Sequence, residues 1–182
     1  MACAFLASCA APNPNLELAE AIRNDQSFHQ VDSMARAVIG QGLNAGSGYS
    51  QIWARDMNTF IETACEITDP KVLREAILLF FALQQPNDEM IDGYVLKPDF
   101  TWNDTCPYYS DAAPEHVGFK NTVETDQESS LIQIVGKYIR KTGDKSILQQ
   151  DVAGRTVMNR MEGMVDYLLR ERYNEEYGLL FG

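Results

Sequence analysis

The sequence predicts an all-α fold built from helical hairpins, and three observations predict it. Apolar residues recur at i, i+3, i+4 spacing through most of the chain. Two regions share one plan: Ile67-Thr-Asp-Pro-Lys-Val-Leu73 lines up with Thr142-Gly-Asp-Lys-Ser-Ile-Leu148, each opening the second helix of a pair. Behind those helices, Asn87-Asp-Glu-Met-Ile-Asp-Gly-Tyr94 is echoed by Asn174-Glu-Glu-Tyr-Gly178. No stretch alternates convincingly between apolar and polar residues, so no strand is expected. Repeated hairpins of this kind cannot bury their apolar faces alone and need neighbours.

The elements follow in order. Leu16 to Ile22 suits a short helix. Ser27 is placed to cap a second, whose stripe is Phe28, Val31, Met34, Ala35, Val38 and Ile39. Gly40, Gly42, Gly46 and Gly48 then stop it. This glycine-rich loop is not a phosphate loop, since no Gly-Lys-Ser/Thr follows and no strand precedes it. After Trp53 the chain turns helical again, with Met57, Phe60, Ile61, Ala64, Cys65 and Ile67 on one face. Asp69 and Pro70 open the next helix, in the favoured cap-then-N1 order. Its residues Val72, Leu73, Ala76, Ile77, Leu79, Phe80 and Leu83 make it nearly apolar all round, which predicts burial on more than one side.

From Pro86 to about Thr125 no period is sustained, yet the segment is rich in aromatic residues, so it reads as an ordered loop forming the wall of a binding site. Thr125 or Asp126 starts a further helix with Leu131, Ile134, Val135 and Tyr138 inward, stopped by Gly143. A last helix, from about Ile147 or Asp151 to Tyr173, carries Val157, Met161, Met164, Val165, Leu168 and Leu169. Tyr177 to Gly182 turns back towards the side of Trp53.

The net charge of −11, with no basic cluster to break it, argues against nucleic acid and anionic membrane surfaces as partners. Neutral, polyhydroxylated ligands suit such a surface. The cysteines are Cys3, Cys9, Cys65 and Cys106; without a Cys-x-x-Cys pair, and with only His29 and His116 to assist, no metal site is expected. Cys65 lies on an apolar helix face and reads as a small buried hydrophobe. The apolar start ends at Pro12-Asn-Pro-Asn15, and within it Leu6-Ala-Ser-Cys9 resembles the lipobox of bacterial lipoproteins. That resemblance implies acylation at Cys9, a location at the bacterial cell envelope, and residues 1–15 as a truncated signal and linker. No later stretch approaches the roughly 20 apolar residues of a membrane span.

The chemistry concentrates in Tyr49-Ser-Gln-Ile-Trp-Ala-Arg-Asp-Met-Asn58. A pyranose offers vicinal hydroxyls to a carboxylate and a guanidinium, and a C–H face to an aromatic ring. Trp53, Arg55 and Asp56 supply all three; a salt-bridged helix start, with Asp56 in the favoured first turn, would use the same residues. Glu124, Asp126 and Glu128 cluster at a later helix start, where carboxylates either bind sugar or complement the helix N-terminus. Gln127 is a further hydroxyl binder on that turn. Tyr94 and Trp102 stack on a sugar or pin their loop. Together these make Trp53–Asp56 one wall of a bowl, faced by the Glu124–Glu128 turn and the aromatic loop.

Trp53-Ala-Arg-Asp56 opening a helix, with Val123-Glu-Thr-Asp-Gln-Glu-Ser-Ser130 and Lys141-Thr-Gly-Asp144, resembles the six-hairpin (α/α)₆-barrel glycosidases, the glucoamylase-like and debranching-enzyme-like enzymes. The resemblance runs from about Ser27 to Gly182. It implies that residues 16–182 form the N-terminal part, about half, of an (α/α)₆ toroid, and that Arg55 and Asp56 hold hydroxyls of a bound carbohydrate. No cofactor is implied. Inverting hydrolysis needs a general acid and base roughly 6.5–9.5 Å apart, and in this family both usually lie on later hairpins. A complete barrel of twelve helices needs roughly 250 residues. The chain is therefore expected to be a fragment that lacks the catalytic acid and base, and those catalytic residues are unknown. A non-catalytic helical-repeat module that binds glycan or protein is the alternative. A terpenoid cyclase is weaker, because the acidic metal-binding motif of that class is missing.

Overall fold

The computed structural model describes residues 14–44, 46, 48–101, 106–121 and 123–181. The chain divides into two units, Met1–Ala37 and Val38–Gly182. The first holds α1 (Pro14–Asn24) and most of α2 (Gln26–Ile39). The cap of α2 differs from expectation. Asp25, not Ser27, accepts the orphan donor, from the Ser27 N–H at 2.8 Å. Phe28, Val31 and Met34 form the expected stripe but are exposed.

The second unit carries the core. Its helices are α3 (Ala54–Ile67), α4 (Pro70–Ala82), α5 (Gln127–Thr142) and α6 (Val157–Glu171). Helix α3 lies parallel to α5, because side-chain partners advance together along both: Arg55 with Asp126, Asn58 with Gln133, Glu62 with Arg140 and Glu66 with Lys141. Both N-termini therefore meet at one end. Met57, Ile61 and Ala64 of α3, Leu73, Ile77, Phe80 and Phe81 of α4, Leu131, Ile134 and Tyr138 of α5 and Met164 of α6 close one apolar core. The expected cap of α4 forms, with Pro70 at its start and Lys71 N–H donating to Asp69 Oδ1 at 2.8 Å. Gly143 ends α5 at φ 75°, a left-handed conformation that costs glycine little.

The all-α expectation is corrected. The described residues are 56% helical, counting six α-helices and two 3₁₀ turns, and 14% lie in eight strands of three small antiparallel sheets, so the fold is mixed α/β. The main sheet joins β1 (Ile52–Trp53), β2 (Gly93–Leu96), β3 (Cys106–Tyr108) and β4 (His116–Lys120) in the order β1-β2-β4-β3. Most of it lies in the segment expected to be a loop. Its strands escaped the pattern because they are short and most of β2 and β4 is buried, leaving no polar face to alternate. Glycine also masks them: Gly93 and Gly118 read as turn residues but are required by close packing. A Cβ on Gly93 would sit 2.6 Å from Ile52 O and 2.8 Å from Phe119 Cζ; one on Gly118 would meet Ile91 at 3.0 Å.

The last helix also starts later than expected. After Gly143, Asp144 accepts from Ser146 N–H at 3.1 Å and opens a short 3₁₀ turn, Lys145–Gln149. A tight hairpin follows, β5 (Asp151–Val152) and β6 (Arg155–Thr156), turned by Ala153 and Gly154 at positive φ, 50° and 82°. Thr156 then caps α6 through Asn159 N–H at 3.2 Å. The acidic turn behind α4 leads into β2, and the one behind α6 joins β7 (Tyr173–Asn174) to β8 (Leu179–Leu180) as a hairpin. No helix among the described residues is long and apolar enough to cross a membrane. Cys65 is half-buried and Cys106 exposed, both as free thiols. Cys9 lies outside the described residues.

Candidate functional site

The site is built where β1 runs into α3. Trp53 pairs with Gly93, and Gly93 pairs with Phe119 on the far side. Because Gly93 has no side chain, the rings of Trp53 and Phe119 meet across it, edge to face with centroids 4.8 Å apart. The junction is fastened from below. Ala54 N–H donates to Asp92 O at 2.9 Å, and Asp92 N–H to Phe119 O at 2.8 Å.

Arg55 reaches across to the start of α5. Its Nη2 donates to Glu124 Oε1 at 2.6 Å, and its Nη1 approaches Asp126 Oδ2 at 3.3 Å. Hydrogen bonding to Glu124 pushes the Arg55 guanidinium further up than usual. Burial works to raise the Glu124 carboxyl, but the hydrogen bond and charge of Arg55, with help from Asn121 and Lys120, hold it below the usual carboxylate range. Asp126 occupies the N-cap position of α5 without capping it by its side chain. That carboxylate is turned to Arg55 instead.

Asp56 does not join them. Neighbouring residues on a helix point in different directions, and Asp56 instead lines a cavity of ≈ 210 Å³ with Asn44, Gly46, Thr59 and Phe60. Its carboxylate has no hydrogen-bond or ion-pair partner among the described residues. Asn44 shapes that wall by donating to the carbonyl oxygens of Gly46 (3.0 Å) and Tyr49. A salt bridge between Arg55 and its sequence neighbour is thus replaced by one between α3 and the turn before α5.

Two other expected binders sit elsewhere. Tyr94 is a core residue, 3% exposed: its hydroxyl donates to Ala76 O at 3.1 Å and its ring packs edge-on against Phe80 and His116. Its position on β2 points it inward, so stacking on a sugar is corrected to packing. Burial raises its hydroxyl pKa accordingly. Trp102 lies outside the described residues. Gln127 is buried at 2% exposure, with Nε2 donating to Glu124 Oε2 at 3.2 Å, so it supports the site from beneath. Glu128 is fully buried and accepts from Met90 N–H at 2.9 Å.

Beneath the edge lies a group that sequence reading missed. Lys120, at the end of β4, is 5% exposed and donates to Gln127 Oε1 at 3.1 Å and Glu124 O at 3.2 Å. Glu89 and Asp92 stand 3.9 Å from its Nζ and Glu128 4.0 Å. Asp92 Oδ2 accepts from Asn121 N–H at 2.7 Å, while Asp92 Oδ1 and Glu128 Oε2 are buried without a hydrogen bond. Burial pushes the Asp92 carboxyl up to about 6 against the pull of the Asn121 N–H and Lys120. Only the mid-sequence acidic residues hinted at this cluster; a lone lysine in an apparent loop reads as a solvated one.

This arrangement can do one kind of chemistry well. It presents a half-exposed guanidinium between two carboxylates at the meeting of two helix N-termini, a rigid edge that both donates and accepts hydrogen bonds. Among the described residues, no group of three or more His, Cys, Asp or Glu is placed to hold a metal ion. Comparison with known proteins adds no identity: no family model, no curated protein and no solved structure matches this chain.

Proposed function

We propose that the chain binds a neutral carbohydrate at the edge formed by Trp53, Arg55, Glu124 and Asp126, with Asp56 offering a hydroxyl acceptor in the adjoining cavity. One observation carries the reading. Two motifs 69 residues apart converge so that Arg55 joins Glu124 at 2.6 Å while remaining half-exposed. A guanidinium has five N–H donors, so donors remain for sugar hydroxyls, and the carboxylates it orients accept from others. The Asp56 cavity is smaller than the roughly 300–1,000 Å³ of drug-sized ligand sites, a scale that fits one sugar residue. The resemblance of Trp53-Ala-Arg-Asp56 and Val123–Ser130 to six-hairpin glycosidases points the same way, and extends the proposal to inverting glycoside hydrolysis by a full-length enzyme of that kind rather than by these residues alone. Acylation at Cys9 and a bacterial envelope location belong to it too; mass spectrometry of wild-type and Cys9→Ser protein tests that part.

The sugar assignment is tested by calorimetric titration with neutral gluco-, manno- and xylo-oligosaccharides. Arg55→Ala and Asp56→Ala should each abolish or strongly weaken binding while circular dichroism keeps wild-type helicity. Loss of helicity along with binding would make the pair structural, and absence of binding by the wild type would remove the reading. A full-length version that binds without releasing reducing ends would favour a non-catalytic glycan-binding module.

A further inference from the structure

The hydrogen bonds of Lys120 are divided unevenly. An ammonium has three donors. Those with hydrogen-bond geometry go to Gln127 Oε1 and the Glu124 carbonyl, at 3.1 and 3.2 Å. The three carboxylates stand beyond hydrogen-bond reach, at 3.9–4.0 Å, and hold the ammonium by charge. They are themselves anchored to separate parts of the chain: Glu128 to Met90 N–H, Asp92 to Asn121 N–H, and Glu89 to the Tyr167 hydroxyl at 2.7 Å. The acids therefore fix where the ammonium sits, and its directional bonds fix the turn before α5.

From that turn a relay leads to the surface. Gln127 accepts a hydrogen bond from Lys120 at Oε1 and donates one from Nε2 to Glu124 Oε2, and Glu124 Oε1 accepts from Arg55. We infer that Lys120 is a positioning residue for the ligand-binding edge, setting the Glu124 carboxylate through Gln127 and the Glu124 backbone, and through Glu124 the orientation of Arg55. A buried lysine surrounded by acids is a costly way to fill a core, since apolar residues of similar volume are often as stable. Its location one step beneath the half-exposed guanidinium gives that cost a use. The inference depends on the carbohydrate reading only for the identity of the ligand.

The experiment uses the full chain with Gln127→Met, Lys120→Met and the double variant. Gln127→Met keeps side-chain length and all buried charges but cuts the relay. Three readouts are taken: helicity, the Glu124 carboxyl titration by ¹³C NMR, and affinity for whichever neutral oligosaccharide of the panel binds the wild type. The expected result for Gln127→Met is native helicity, a Glu124 titration moved up towards the ordinary carboxylate range, and affinity weaker by about tenfold. The double variant should bind no more weakly than Lys120→Met, because residues acting as one unit are not additive. A Gln127→Met protein with wild-type Glu124 titration and affinity would overturn the inference. Should Lys120→Met fail to fold, Gln127→Met decides. If the wild type binds no oligosaccharide, the carbohydrate reading falls, and the Glu124 titration alone judges the role of Lys120.

Discussion

Replacing Asp92 by Asn should change how stability depends on pH, and by a predictable amount. Asp92 precedes β2 with one carboxylate oxygen bonded to Asn121 N–H and the other buried without a hydrogen bond. The charged groups acting on it are Lys120 on β4, Glu124 in the following turn and Arg55 on α3, and burial outweighs the favourable ones, raising its pKa from 3.8 to about 6. The folded value lies above the unfolded one, so the stability contributed by Asp92 is fully present below about pH 3.8 and lost as pH rises through about 6. At about 1.4 kcal/mol per pH unit, that loss amounts to about 3 kcal/mol. Asn is close in shape, keeps an acceptor for Asn121 N–H and does not ionise. Urea unfolding of both proteins between pH 3 and 8 should show Asp92→Asn gaining about 3 kcal/mol on the wild type across the interval, most of it between pH 4 and 6. Parallel stability curves would refute the reasoning. A wild type that gains on the variant as pH rises would show that Lys120 stabilises the anion more than burial penalises it.

Four further outcomes follow from the geometry. Gly93→Ala should destabilise by roughly 1–3 kcal/mol and shift Trp53 fluorescence, because its Cβ would press on Ile52 O and the Phe119 ring; an unchanged melting temperature would contradict the packing described. Ala153→Asn should stabilise by about 0.5–1 kcal/mol in thermal melts, since Ala153 holds φ 50° in a two-residue hairpin loop that favours Asn-Gly. Asp69→Ala should cost about 1 kcal/mol in denaturant unfolding through loss of the Lys71 N–H cap. Arg55→Ala should change the unfolding free energy by less than about 1 kcal/mol, as expected for a half-exposed ion pair, so lost ligand binding in that variant would not reflect unfolding.

Local features of the sequence were legible because their physics is local. The apolar faces of α3, α4 and α5 follow from helical period, and the Asp69-Pro70 start and Gly143 stop follow from cap chemistry that needs no distant partner. The Trp53–Asp56 segment and the Glu124–Glu128 turn stood out as polar groups gathered at helix starts, and the structure brings Arg55 against Glu124 and Asp126.

What the sequence by itself determined about this protein is a helical scaffold, with charged residues at the start of α3 and in the turn leading into α5. Tertiary structure alone decided the rest. The main sheet exists because Gly93 and Gly118 let strands from distant segments approach closely, and glycine in isolation signals a turn rather than a strand. Tyr94 became core because β2 points it inward. Arg55 and Asp56, adjacent in sequence, parted because a helix turns their side chains to different neighbours. Lys120 acquired its role when Glu89 and Asp92, from the far side of β2, were brought against it together with Glu124, Gln127 and Glu128 of the turn and helix that follow, and a charge surrounded in that way has no signature in the residues beside it.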